Sequence, residues 1–239
     1  MANRSMIDPK EKSTGLSPLL PGEGTAEISG GLILDGRLAL IDPAARWLAV
    51  SDLHFGYEAN RRREGALWPM WGMESIAARL EGLVHDWQPE TLLLVGDVVD
   101  GSAAPDEAIA WLRGVGELGP RLILIEGNHD RGPIRREFDW VESWQIGEVF
   151  FEHGHLTREA PTKGTRIRGH LHPSVNFNDG SGTRLRLPSL VVEESATGSR
   201  EIFLPAFSPW AGGARYPTAA GKSMRQWACS PRRVFEVIK

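Results

Sequence analysis

From Trp47 onward, short apolar runs of β type alternate with amphipathic stretches of helical period. Residues 47–51 (WLAVS) predict a strand. After a polar loop, Ile76, Leu80, Leu83, Val84 and Trp87 fall on one face at a 3.6-residue period, with Pro89 just past the end, and this predicts a helix. Residues 92–95 predict the next strand. A second helix opens at Pro105, where a missing N–H costs nothing, and Asp106 and Glu107 set negative charge against its N-terminal dipole. Ile109, Leu112 and Val115 give it an apolar face, Gly119-Pro120 stops it, and residues 122–125 predict a third strand.

Beyond Val149 the texture changes to short strands without strong helices, at 149–151, 166–168, 184–187, 190–192 and 202–204, with a last one at 234–238. The alternation of Arg184, Leu185, Arg186 and Leu187 predicts one buried and one wet face, as in a second sheet packed on the first. The whole reads as a layered α/β protein. Residues 1–27, rich in Gly, Pro and Ser without periodicity, are expected to be a disordered arm. Residues 28–239 are expected to form a single domain, with an Arg- and Trp-rich insert at 58–72 and a surface tail at 214–233.

The 239 residues suffice for one large core, and 41% apolar with 24% charged residues excludes disordered and fibrous classes. The longest aliphatic runs, 92–95 and 122–125, fall far short of the roughly 20 residues that cross a bilayer. Asp8, Lys10, Glu11 and Lys12 lie where an export signal would need an apolar stretch. One cysteine, Cys229, excludes an internal disulfide and a thiolate zinc cluster, so a cytoplasmic location is expected. A formal net charge of −4 argues against a globally basic coat for nucleic acid and leaves room for a local basic groove.

Polar clusters follow the predicted strands: Asp52-Leu53-His54, Gly96-Asp97-Val98-Val99-Asp100, Gly127-Asn128-His129-Asp130, His153-Gly154-His155 and Gly169-His170-Leu171-His172. Six of the seven histidines fall in these five clusters, and ligand sites in α/β sheets gather at the carboxyl ends of strands. Imidazole, carboxylate and amide donors without thiolate suit Mn, Fe, Zn or Ni, and so many donors exceed what one ion needs. A pair of ions generates hydroxide near neutral pH and clamps the oxygens of an in-line phosphoryl displacement, which points to phosphate-ester hydrolysis.

In this order, DLH, GDVVD, GNHD, HGH and GHLH resemble the signature of the calcineurin-like metallophosphoesterases. The resemblance implies a four-layer αββα sandwich of two mixed sheets flanked by helices, with two divalent transition-metal ions, manganese foremost. By the same resemblance, Asp52, His54 and His172 hold one ion, Asn128, His153 and His170 the other, and Asp97 bridges them. His129 then serves as the catalytic donor to the scissile phosphate or leaving oxygen, oriented by Asp100. SDLHFGYE, GNHDR and LPAFSPWAGG resemble the ICC-like branch, which includes PdeM-type endonucleases associated with a DNA ligase and a repair helicase. Tyr57 stands where that type carries lysine.

The implied activity is hydrolysis of phosphodiesters, with DNA as the expected substrate and a ligase and helicase repair system as the implied partners. Arg61, Arg62, Arg63 and Arg131, with His155, are the candidates for substrate binding, and Arg135 and Arg136 extend the basic set. Charge runs also occur as plain solvated turns, and Trp68 and Trp71 read either as base-stacking residues or as packing. Hydrolysis of a small nucleotide or phosphomonoester, and a non-catalytic scaffold of the same fold, are the alternatives.

Overall fold

The computed structural model describes residues 24–156, 163–178, 180–182, 184–217 and 222–238. Strands β1 (Thr25–Glu27), β2 (Ile33–Asp35), β3 (Ala39–Asp42) and β4 (Trp47–Val50) form an antiparallel meander. Then β5 (Thr91–Val95), β6 (Arg121–Ile125) and β7 (Trp140–Val141) add in parallel, completing a sheet whose strand order follows the chain. Helices α1 (Tyr57–Arg63) and α2 (Gly72–Trp87) join β4 to β5, α3 (Pro105–Gly116) joins β5 to β6, and α4 (Ile134–Glu137) precedes β7.

The second sheet comprises β8 (Ser143–Ile146), β9 (Val149–Glu152), β10 (Thr165–Arg168), β11 (Pro173–Asn178), β12 (Arg184–Glu194), β13 (Arg200–Phe203) and β14 (Ala214–Arg215). Its order is β14-β11-β12-β13-β10-β9-β8, and β15 (Ser223–Ser230) pairs with β12 and with β16 (Arg233–Glu236). The α/β architecture of two mixed sheets is the one expected.

The parallel centre of the first sheet explains its sequence. Every residue of β4, and Leu92 to Val95 of β5, is buried, as strands covered on both faces must be. Ile76, Leu80, Leu83 and Val84 of α2 are buried along the stripe the periodicity predicts. Trp47 meets Phe151 of β9 edge-on at 5.1 Å, so one continuous core joins both sheets with α2 and α3.

Several expectations are corrected. The surface tail at 214–233 contains β15, where Gln226, Trp227, Ala228 and Cys229 are buried and the Gln226 amide donates to Ser189 Oγ at 2.8 Å. A buried glutamine and cysteine broke the apolar run that would have marked the strand. The strands at 184–187 and 190–192 are one strand, β12, which pairs with β11 in its first half and with β13 and β15 in its second. Leu185 is 52% exposed against the predicted alternation, because the β11–β12 hairpin leaves Arg184 to Arg186 in solvent. The arm expected at 1–27 gives up Thr25–Glu27 to β1, and residues 1–23 lie outside the described residues. The insert at 58–72 carries most of α1 where a loop was expected. No helix among the described residues is long and apolar enough to cross a membrane.

Candidate metal centre

Parallel register brings the ends of β4, β5 and β6 to one edge: Val50 pairs with Leu94, and Leu94 with Leu124. The loops that leave this edge are laced together, with Asp52 N–H donating to Gly96 O at 3.0 Å and His54 N–H to Asp97 O at 2.9 Å. β9 and β10, also parallel, deliver His153 and His170 to the same place. Asp52, His54, Asp97, His170 and His172 all have φ between 44° and 69°, the left-handed region that non-glycine residues seldom occupy. Backbone strain is thus concentrated on five of the seven expected ligands. A Cβ on Gly96 would lie 2.3 Å from the His153 ring, and one on Gly127 2.1 Å from Asp97 N, so glycine is required at both for the loops to close on one another.

The side chains converge in three groups, each with one donor atom per residue within 4.8 Å of the others: Asp52, His54 and His172; Asp97, His153 and His170; and His54, Asp100 and His129. Asp97 lies between the first two. Its Oδ2 is 3.3 Å from His153 Nε2 and 3.8 Å from His54 Nε2, while its Oδ1 accepts the His129 N–H at 2.9 Å. Asp52 Oδ1 is 3.1 Å from His172 Nε2, and its carboxylate accepts the His170 N–H at 3.0 Å. His153 Nδ1 donates to Val95 O at 3.2 Å, which leaves Nε2 as the ring nitrogen that can face a cation. Asp100 Oδ1 accepts from His129 Nδ1 at 3.0 Å and sits 3.4 Å from His54 Nδ1, so one carboxylate orients both rings.

Electrostatics and unsatisfied donors fit cations here. Burial pushes the Asp97 carboxyl up, yet His153 and the His129 N–H outweigh it and hold the group down at about 2. Burial likewise opposes ionisation of Asp52, but His172, His153 and His54 keep its carboxyl below the usual range. Burial lowers His170, whereas His153 is raised against its burial by Asp97 and Asp52. Such a field favours positive charge. Asn128 Oδ1 is buried with no hydrogen-bond partner, as suits an oxygen whose partner is a cation.

Among the expected substrate residues, Arg61 and Arg131 line a cavity of about 240 Å³ with Asn60, Asp100, Asn128 and His129. Arg62 and Arg63 point to solvent outside that lining. Arg135 pairs with Glu126 and lies over the Trp140 ring, so it is engaged elsewhere. The His155 ring lies 5.4 Å from His153 and 6.5 Å from His170, beside the expected ligands. Trp68 packs between Tyr57 and Trp210, with ring centroids 5.9 and 5.6 Å away.

Other residues of the site were not found from sequence. Asn60 donates to Asp100 Oδ2 at 3.1 Å. Asp130, inside the GNHD cluster, accepts the N–H groups of Val99 and Gly127 at 2.9 and 2.7 Å and so ties two site loops together; burial pushes its carboxyl up to about 6. The segment after β13 lies along the site because Phe207 and Ser208 donate to Ser51 O and Asp52 O. Arg79 holds it through the Phe207 carbonyl and ring, and buried Glu58 holds it through Trp210 Nε1 at 2.9 Å.

Comparison with known proteins agrees with this geometry. No curated protein matches the chain. Among solved structures, nuclease MPE of Pseudomonas putida is similar at 27% identity and a TM-score of 0.65, over 89% of this chain and 98% of that one. The model of the calcineurin-like phosphoesterase family matches residues 45–232, a span that takes in all five polar clusters. The family implies a centre of two divalent metal ions, and the chain belongs to the calcineurin-like phosphoesterases.

Proposed function

We propose that the protein is a manganese-dependent phosphodiesterase that cuts nucleic acid, DNA in particular. The observation that carries this reading is the placement of His129: its ring, 46% exposed, is held by Asp100 at the edge of the ligand cluster and opens into a cavity flanked by Arg61 and Arg131. Asp52, His54 and His172 would hold one ion and Asn128, His153 and His170 the other, with Asp97 shared. When bound, such ions polarise phosphate oxygens and make water a nucleophile at neutral pH.

The chain's own groups account for the rest. His129 Nδ1 donates to Asp100, so Nε2 faces the substrate, and the contact with Asp100 raises the ring's affinity for a proton. As water oxygen bonds to phosphorus and the P–O bond to the leaving group breaks, His129 gives that oxygen its proton and solvent takes one from the attacking water. Arg61 and Arg131 face the phosphates that flank the scissile one. Likeness to a protein described as a nuclease supports a polymeric substrate.

The test is hydrolysis of bis(p-nitrophenyl) phosphate against p-nitrophenyl phosphate with Mn, with single- and double-stranded DNA as competitors at several salt concentrations. Diester turnover suppressed by DNA is expected. Preference for the monoester, or no competition at any salt, would give the substrate to a small phosphate ester instead.

A further inference from the structure

A second cavity, of about 100 Å³, adjoins the centre at His172 and shares no lining residue with the one at His129. The two are linked by a row of imidazoles: the His54 ring lies 4.9 Å from His129 and 5.4 Å from His172. Ser174, Arg186, Ser208 and Gly212 contribute to its wall. Arg186 is fixed in place, with Nε donating to Asn176 Oδ1 at 3.0 Å and Nη1 to Gly212 O at 2.8 Å. Ser174 is 3% exposed, and its hydroxyl is buried with no hydrogen-bond partner. The wall itself is clasped to the site, since Ala214 N–H donates to His172 O at 2.9 Å and Ser208 N–H to Asp52 O.

A phosphodiester carries two ester groups. The one that departs takes its proton from His129 and therefore lies over the first cavity. The one that remains on phosphorus needs a different exit, and the cavity beyond His172 supplies it with a held guanidinium and an unsatisfied hydroxyl, a pairing suited to sugar and phosphate oxygens. We propose that this cavity binds the sugar–phosphate of the nucleotide that stays on phosphorus, with Arg186 and Ser174 as its recognition groups. The inference rests on the phosphodiesterase reading and adds a direction to it.

Two substrates with the same leaving group isolate the retained one: p-nitrophenyl thymidine 5′-phosphate and methyl p-nitrophenyl phosphate. Arg186→Ala is expected to lower kcat/KM for the thymidine ester about tenfold or more relative to the methyl ester, the loss of one charge-assisted hydrogen bond. Ser174→Ala should move the same ratio less. An unchanged ratio in both variants overturns the proposal. A binding measurement separates the two readings: thymidine 5′-phosphate titrated onto the ¹⁵N-labelled protein should shift the amides of Gly212 and Gly213, and Arg186→Ala should weaken the titration. If neither ester is hydrolysed, the phosphodiesterase reading fails, and the titration still decides the cavity. Shifts confined to Gly101, Asn128 and His129 would overturn the assignment.

Discussion

The two sheets reach the same metal centre by different internal chemistry. Around β4, β5 and β6 the interior is aliphatic, with Leu48, Leu92, Leu93 and Val95 wholly buried. The second sheet sets ions beneath its histidine loops. Arg166, 3% exposed, lies 3.1 Å from Glu152, and Arg168 reaches Glu152, Glu201 and the carbonyl of Gly154, between His153 and His155. Lys222 closes the network on Glu193 and Glu201 at 2.6 and 2.8 Å. Apolar packing stabilises without direction, whereas a guanidinium fixes a carbonyl at a set angle, so the second sheet uses charge to aim the turn that follows β9.

Five experiments probe that contrast. Asp97→Ala, which removes the carboxylate between the two halves of the site, should abolish diester turnover, a loss of 10³-fold or more by the order of magnitude of such deletions, and metal analysis should find both ions depleted. His129→Ala should retain full metal content while kcat falls about 10²–10⁴-fold; unchanged kcat would remove the proton donor from the scheme.

On the stability side, urea unfolding of Arg166→Leu should show a loss of up to about 3–5 kcal/mol, since buried Glu152 loses its nearer cation and keeps Arg168 at 3.5 Å, and adding Glu152→Leu should recover part of it. Leu93→Ala, in the other sheet, should cost about 2–5 kcal/mol through its cavity, with no comparable rescue by a second polar change. If the double variant is no better than Arg166→Leu alone, the ions shape the fold more than the contrast allows. The smallest effect concerns Cys229 on β15: burial pushes its thiol up to about 12, so a thiol reagent at pH 8 should label it only after denaturant is added. Prompt labelling of the folded protein would show β15 detached from the second sheet.

The same contrast explains what could be read from the chain. Residues 92–95 and 122–125 announce β5 and β6 because strands covered on both faces need unbroken aliphatic runs. Glu193 and Gln226 are interior too, and their polarity disguised the end of β12 and β15 as surface, whereas β10 is legible at 166–168 although Arg166 is buried. At the centre, the five clusters identified by residue type do meet, since each directly follows a strand whose register fixes its end. Glu58, Asn60, Arg79 and Arg186 escaped notice because they act across 40 to 152 residues of sequence, or through main-chain carbonyls, which no local spacing records.

The left-handed turns at Asp52, His54, Asp97, His170 and His172 carry a consequence for anyone who would toughen this protein. Glycine suits that backbone region best, so replacing His54, His170 or His172, whose rings accept no main-chain N–H, by glycine would relax the main chain and raise the melting temperature even as the imidazole is lost, whereas Asp52 and Asp97 accept the N–H groups of His170 and His129 and offer no such gain. A stability screen blind to turnover would therefore favour such variants. Selection for heat resistance alone should drift toward a sturdier molecule without these imidazoles, and only a screen that scores turnover as well would hold the three histidines in place.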